Sequence, residues 1–163
     1  GIYDNRNPQI TIAHEIAHEW YGNSVSPATW RDIWLNEGFA TYLSLLWIEH
    51  REGRDVLDDT MKRLYQFLAS PNVERMDILL ADPGPRRMFS MVVYYRGAWT
   101  LHALRSEVGD AAFFSILRSY YERYAGKTAT TADFIAIAEQ VSGQDLTAFF
   151  EGWLYQARLP GAN

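Results

Sequence analysis

The sequence predicts a mainly α-helical domain, and three observations carry that expectation. Apolar residues recur at helical spacing along most of the 163 residues, no β-branched run alternates strictly with polar residues, and Gly or Pro closes one periodic stretch after another. A hydrophobic content of 48% is enough for one core of ordinary size.

The elements follow in order. A first helix is expected from about Gln9 to Tyr21, stopped by Gly22-Asn23 and followed by a loop through Pro27. Asn36 is the expected N-cap of a second, strongly apolar helix from Glu37 to His50, which Gly53 closes. A third runs from Asp55 to Ala69 and stops before Pro71. The segment from Pro71 to Arg87 holds Pro83-Gly84-Pro85, so it reads as irregular or briefly helical and as a candidate border for a cleft. Met88 to Val108 forms a fourth helix ended by Gly109, and Asp110 to Tyr124 a fifth with Asp110 as its cap. Thr131 to Val141 and Asp145 to Gln156 complete the set, separated by Gly143 and stopped before Pro160. No repeat or low-complexity tract interrupts the pattern.

Composition narrows the chemistry. The formal charge of -5 includes no basic block, which argues against a nucleic-acid partner or an anionic membrane surface. Cysteine is absent, so disulfides and thiolate metal sites are excluded and any metal must rest on His and carboxylates. The aromatic content of 15% reads first as core filling and second as the lining of a cleft. The longest nearly apolar stretch, Phe39 to Ile48, is shorter than the roughly 18 residues of a membrane span, and a soluble piece is expected, with no motif naming its compartment. The chain opens at Gly1 in a loop-like run through Pro8, which reads as a piece excised from a longer polypeptide.

The strongest signal is His14-Glu15-Ile16-Ala17-His18. Residues four apart lie one above the other on a helix, so both imidazoles can reach one metal ion. Glu15 is turned about 100° from His14, which suits a general base that reaches the water and leaves the metal to its neighbours. A catalytic zinc takes three protein ligands and keeps a fourth position open. Glu37, in Trp34-Leu35-Asn36-Glu37-Gly38-Phe39-Ala40, is the best third candidate, in the first turn of the second helix. A carboxylate there is also what a helix N-terminus favours. Glu19, Glu49, His50 and His102 compete for the role, each with a simpler account in packing or solvent.

The His-Glu-x-x-His helix, the eighteen residues that follow it and the Asn-Glu-Gly block resemble the M1-family zinc aminopeptidases, within the gluzincins. The resemblance continues through Val93-Tyr94-Tyr95-Arg96-Gly97-Ala98, similar to the family's Tyr-x-Lys-Gly segment, and through Trp153 to Pro160, so it covers nearly the whole chain. It implies the helical lobe of a thermolysin-like catalytic domain, a single partial domain over residues 1–163, with an upper β-containing lobe elsewhere in the parent. It also implies one zinc ion on His14, His18 and Glu37, Glu15 as general base, and Tyr94 as the oxyanion-stabilising tyrosine. Tyr94 shares a helical stripe with Gly97, Ala98 and Leu101, which should face inward with space beside the phenol, whereas Tyr95 aligns with Trp99 and His102.

The expected activity is removal of N-terminal amino acids from a peptide substrate. A thermolysin-like endopeptidase, a relative with epoxide hydrolase activity and a non-catalytic zinc-containing binding module are the alternatives. Two departures stand out. The family's Gly-x-Met-Glu-Asn amine clamp would lie before Gly1, and Ser44 stands seven residues after Glu37 where the family is commonly acidic. The isolated chain is therefore expected to be weakly active or inactive. Without its upper lobe it should bare an apolar surface near Ile12, Ile16 and Trp20 that favours self-association.

Overall fold

The structure is a computed structural model, described over residues 8–161. Its chain order is α1 (Pro8–Ala17), β1 (Val25–Pro27), a 3-10 turn (Trp30–Asp32), α2 (Trp34–Glu52), α3 (Arg54–Leu68), α4 (Pro71–Glu74), α5 (Met91–Val108), α6 (Asp110–Tyr124), β2 (Lys127–Ala129), α7 (Thr131–Ser142) and α8 (Thr147–Leu154). The expected mainly α fold is what forms. None of these helices is long and apolar enough to cross a membrane.

Helix α2 lies at the centre, against α1, α3 and α5. It meets α5 at a place where both sequences have glycine. A β-carbon on Gly38 would stand 2.7 Å from the Gly97 Cα, and one on Gly97 would stand 2.6 Å from the Gly38 Cα. The two backbones are in contact, so the space expected beside Tyr94 at Gly97 is filled by α2. This crossing carries Glu37 and Tyr94 towards the same point.

The remaining core is aromatic. Phe39 packs on Tyr21, Tyr120 and Phe134 at ring-centroid distances of 4.9, 5.7 and 5.1 Å, and Trp34 meets Phe134 at 5.8 Å. Rings of this kind combine large buried area with favourable edge-to-face geometry. Most of the aromatic content thus fills the core, while Trp20, Trp30 and Trp47 stay exposed.

Three expectations about local structure are corrected. Asn36 does not cap α2, because the chain has already turned: Thr29 caps the 3-10 turn in a reciprocal box with Asp32, and α2 starts at Trp34 directly behind it. Asp32 also accepts from the Thr131 backbone N–H and hydroxyl at 2.8 and 2.9 Å, which ties the entry of α2 to the entry of α7. Asp110 does not cap α6. Gly109, at φ 82°, makes the turn, and Asp110 instead receives two 2.8 Å hydrogen bonds from Arg105. Finally, two strands of three residues pair in parallel, Val25 with Lys127 through Pro27 with Ala129.

Arg96 lies on α5, in the segment that carries the resemblance. It is 1% exposed, and its guanidinium donates to the carbonyls of Gly152, Trp153, Gln156 and Ala157. Burial lowers its pKa to about 10, and the carbonyls at the end of α8 supply partial negative charge. The side chain pins the last helix to α5.

Candidate metal centre

Helix α1 ends one residue before the second histidine. His18 lies in a tightened closing turn, where its N–H still reaches the His14 carbonyl at 3.3 Å while Glu19 and Trp20 bond three residues back. Gly22 then turns the chain at φ 139°, and a β-carbon there would collide with the Asn36 carboxamide and approach His18 Nδ1 to 3.1 Å. The turn residue is fixed by close approach as much as by conformation. His18 Nδ1 lies 3.2 Å from the Tyr21 carbonyl, so an N–H there donates to it and leaves Nε2 as the free ligand atom.

The three candidate ligands come together. His14 Nε2 and His18 Nε2 are 3.0 Å apart, and Glu37 Oε2 lies 3.4 Å from the first and 3.5 Å from the second. His14 and Glu37 are 6% and 7% exposed, and His18 is half-buried. Zinc–ligand bonds of about 2.0–2.1 Å in tetrahedral array put ligand atoms roughly 3.3 Å apart, so these distances match one face of such a tetrahedron. Among the described residues the cluster consists of these three, two imidazoles and a carboxylate, which is a donor set suited to zinc with one position left open.

Electrostatics agree with the geometry. Burial raises the Glu37 carboxyl, but hydrogen bonds from His14 and His18 and their charge overcome it and hold the group at about 2. Burial likewise depresses His18, and the bonds to Glu37 and Tyr21 with the charges of Glu37 and Glu15 outweigh it, leaving the imidazole raised. The carboxylate is ionised and ready to serve as a ligand.

The neighbouring side chains have different surroundings. Glu15 is exposed on α1, about 100° round the helix from His14, and its charge acts on the His18 imidazole. The Tyr94 ring stacks on His14 at 6.0 Å with planes 16° apart. Tyr95 is 4% exposed and packs against Phe67 at 5.5 Å. The competing ligands are accounted for elsewhere. Glu49 receives two hydrogen bonds from Arg105, His102 faces the Tyr42 hydroxyl at 3.2 Å, Glu19 accepts from Asn23, and His50 packs against Trp47. Ser44 is fully buried and donates to the Thr41 carbonyl at 2.7 Å. Spacing alone did not reveal Gly22 and Asn36 as neighbours of the site; the only hint in the sequence is the glycine directly after the closing turn.

The comparisons with known proteins point the same way. The description "Peptidase family M1 domain" matches residues 2–153. Aminopeptidase M1-D of rice is 34% identical over 161 residues, covering 95% of this chain, and aminopeptidase N of Lactococcus lactis is 30% identical over 159 residues, covering 93%. The chain spans only 18% and 19% of those two relatives' lengths. An M1 zinc metallopeptidase mutant of Deinococcus radiodurans bound to a Tyr-Ser-Ala substrate superposes at a TM-score of 0.85 with 32% identity, over 97% of this chain and 35% of that one. Native yeast LTA4 hydrolase superposes at 0.77 with 28% identity, over 96% of this chain and 27% of its own. A family description that matches nearly the whole chain and relatives at 34% and 30% identity show that the chain belongs to peptidase family M1.

Proposed function

We propose that this chain is the zinc-binding catalytic core of an aminopeptidase, with His14, His18 and Glu37 holding one zinc ion. The observation that carries the reading is the set of three ligand-atom separations of 3.0, 3.4 and 3.5 Å among two buried side chains and one half-buried one, with Tyr94 stacked on His14. When bound, zinc supplies Lewis-acid polarisation of a carbonyl and lowers the pKa of water.

The chain's own residues do the rest. Glu15 takes a proton from the water that attacks the peptide carbonyl carbon, and returns it to the nitrogen as the C–N bond breaks. Tyr94 donates its hydroxyl hydrogen to the carbonyl oxygen as that oxygen gains negative charge. His18 is oriented by Tyr21 through its outer nitrogen. The aminopeptidase relatives support cleavage at the N-terminus over the endopeptidase alternative. A set of three protein ligands supports catalysis over a closed structural zinc site.

Peptide substrate, and a further lobe of the same polypeptide to position it, belong to this reading, given how much longer the relatives are. Positioning contributes roughly 7–11 kcal/mol to such reactions. The zinc-loaded chain alone should therefore turn over aminoacyl fluorogenic substrates far more slowly than the longer polypeptide. In the latter, Glu15→Gln should keep its zinc and lose on the order of 10²- to 10⁴-fold in activity. Turnover by the chain alone within tenfold of the longer form, or an active Glu15→Gln enzyme, would contradict the proposal.

A further inference from the structure

Two of the three candidate ligands stand on helices, His14 on α1 and Glu37 on α2. His18 follows the last residue of α1, so its position depends on the loop that comes after it. That loop is built on α6 and β2. The Tyr21 ring is 8% exposed and packs on Phe39 at 4.9 Å and on Tyr120 and Tyr121 at 6.2 Å each. Its hydroxyl donates to the Leu117 carbonyl of α6 at 3.0 Å, a bond between residues 96 apart in sequence. Further along, Ser24 donates to the Tyr121 hydroxyl at 3.3 Å, the Gly126 N–H donates to the Ser24 carbonyl at 2.7 Å, and β1 pairs with β2 from Val25 on.

The other end of Tyr21 touches the site. Its carbonyl lies 3.2 Å from His18 Nδ1, while Glu37 Oε2 lies 3.5 Å from His18 Nε2. These two oxygens compete for the single proton of a neutral imidazole. A proton on Nδ1 leaves Nε2 bare for a metal ion, and a proton on Nε2 blocks it. The carboxylate is the stronger acceptor, so the carbonyl must be held in place to keep the proton. A peptide oxygen in a loop is held by what the loop rests on, and here that is a buried hydrogen bond to another helix.

We propose that Tyr21 is a positioning residue of the metal centre: its phenol, fastened to α6, holds its carbonyl where it keeps Nε2 of His18 bare and aimed at the ion. The ion itself belongs to the peptidase reading, on which this rests. What is added is a support from α6, a helix that carries none of the three ligands.

The test compares Tyr21→Phe, which keeps the ring and removes the tie to Leu117, with Tyr42→Phe, which removes another buried hydroxyl on the His102 side of α2. Zinc affinity of the 163-residue chain is measured by competition with a chromophoric chelator. Tyr21→Phe should weaken it on the order of tenfold, the lower end of what the partners of ligating histidines contribute, and Tyr42→Phe should leave it within about twofold. Long-range proton–nitrogen spectra of the metal-free chain, recorded where imidazole is neutral, give a readout that lost stability alone does not move. In the wild type and in Tyr42→Phe the His18 proton should reside on Nδ1, and in Tyr21→Phe it should be shared with Nε2. A folded Tyr21→Phe chain whose zinc affinity stays within about twofold of the wild type would overturn the proposal, as would weaker zinc binding with an unchanged His18 pattern. Should Tyr21→Phe misfold, the wild-type spectrum decides: a proton on Nδ1 supports the proposal, and a proton on Nε2 overturns it. A wild-type chain that takes up no zinc refutes the peptidase reading, while the metal-free spectra still decide what Tyr21 does to His18.

Discussion

The two faces of α1 invert the usual order of a surface helix. Towards α2 it buries His14 at 6% exposure together with Ile10 and Ala17, while Ile12 and Ile16 on the other side are 58% and 51% exposed and Trp20, just beyond its end, is 47% exposed. An ordinary amphipathic helix would do the opposite. The difference teaches where stability and function are separated. The aromatic core around Phe39 and the glycine crossing of α2 with α5 hold the molecule together, and α1 spends its buried face on imidazoles that need a carboxylate partner. Its apolar face then lies open.

The largest expected effect probes the inner face. In the longer polypeptide, Tyr94→Phe should lower turnover on the order of 10²- to 10³-fold with little change in substrate binding, because the hydroxyl acts only as charge develops. Tyr95→Phe should leave turnover nearly unchanged, since that ring packs against Phe67. Steady-state kinetics of the two variants decide between them, and the reverse pattern would assign the oxyanion role to Tyr95.

A second prediction sharpens the contrast between buried imidazoles. Burial holds His102 at about 4, helped by the charges of Arg54 and Arg105, and its hydrogen-bond partner is the Tyr42 hydroxyl in place of a carboxylate. The unfolded chain protonates near 6.5, above the folded value, so stability is fully present above pH 6.5 and falls as pH drops towards 4. The loss approaches about 3 kcal/mol. Urea unfolding across this range should show the slope, and His102→Gln should flatten it. A wild-type curve with no change between pH 6.5 and 4 would show that the ring is hydrated in solution.

The smallest effect concerns the outer face. Ile16→Lys should change stability by less than about 0.5 kcal/mol, since the residue is half exposed, yet it should reduce self-association of the chain. Sedimentation at several concentrations beside thermal melting checks both halves. Association that Ile16→Lys leaves unaltered would place the sticky surface elsewhere.

How much of this was legible in the sequence depends on the range of the interaction that decides each feature. The helices from Arg54 to Leu68 and Asp110 to Tyr124 appear within a residue of expectation, because their apolar spacing and flanking breakers are local signals. His14 and His18 were legible for the same reason. Glu37 was placed by the first turn of α2 and by the resemblance. The strands Val25–Pro27 and Lys127–Ala129 were not, because three residues are too few to show alternation and their partners lie about a hundred residues apart. Asn36 looked like a cap because nothing local announces that Thr29 and Asp32 have already turned the chain. Gly97 looked like room for a phenol, and only the fold reveals that Gly38 fills it.

Whether His14, His18 and Glu37 form one metal site is decided by elemental analysis of freshly purified chain. We predict about one zinc per chain in the wild type, lost in both His18→Ala and Glu37→Ala with helicity retained, since each removes one of three ligands. Zinc content unchanged in both variants would show that the three side chains meet without holding a metal.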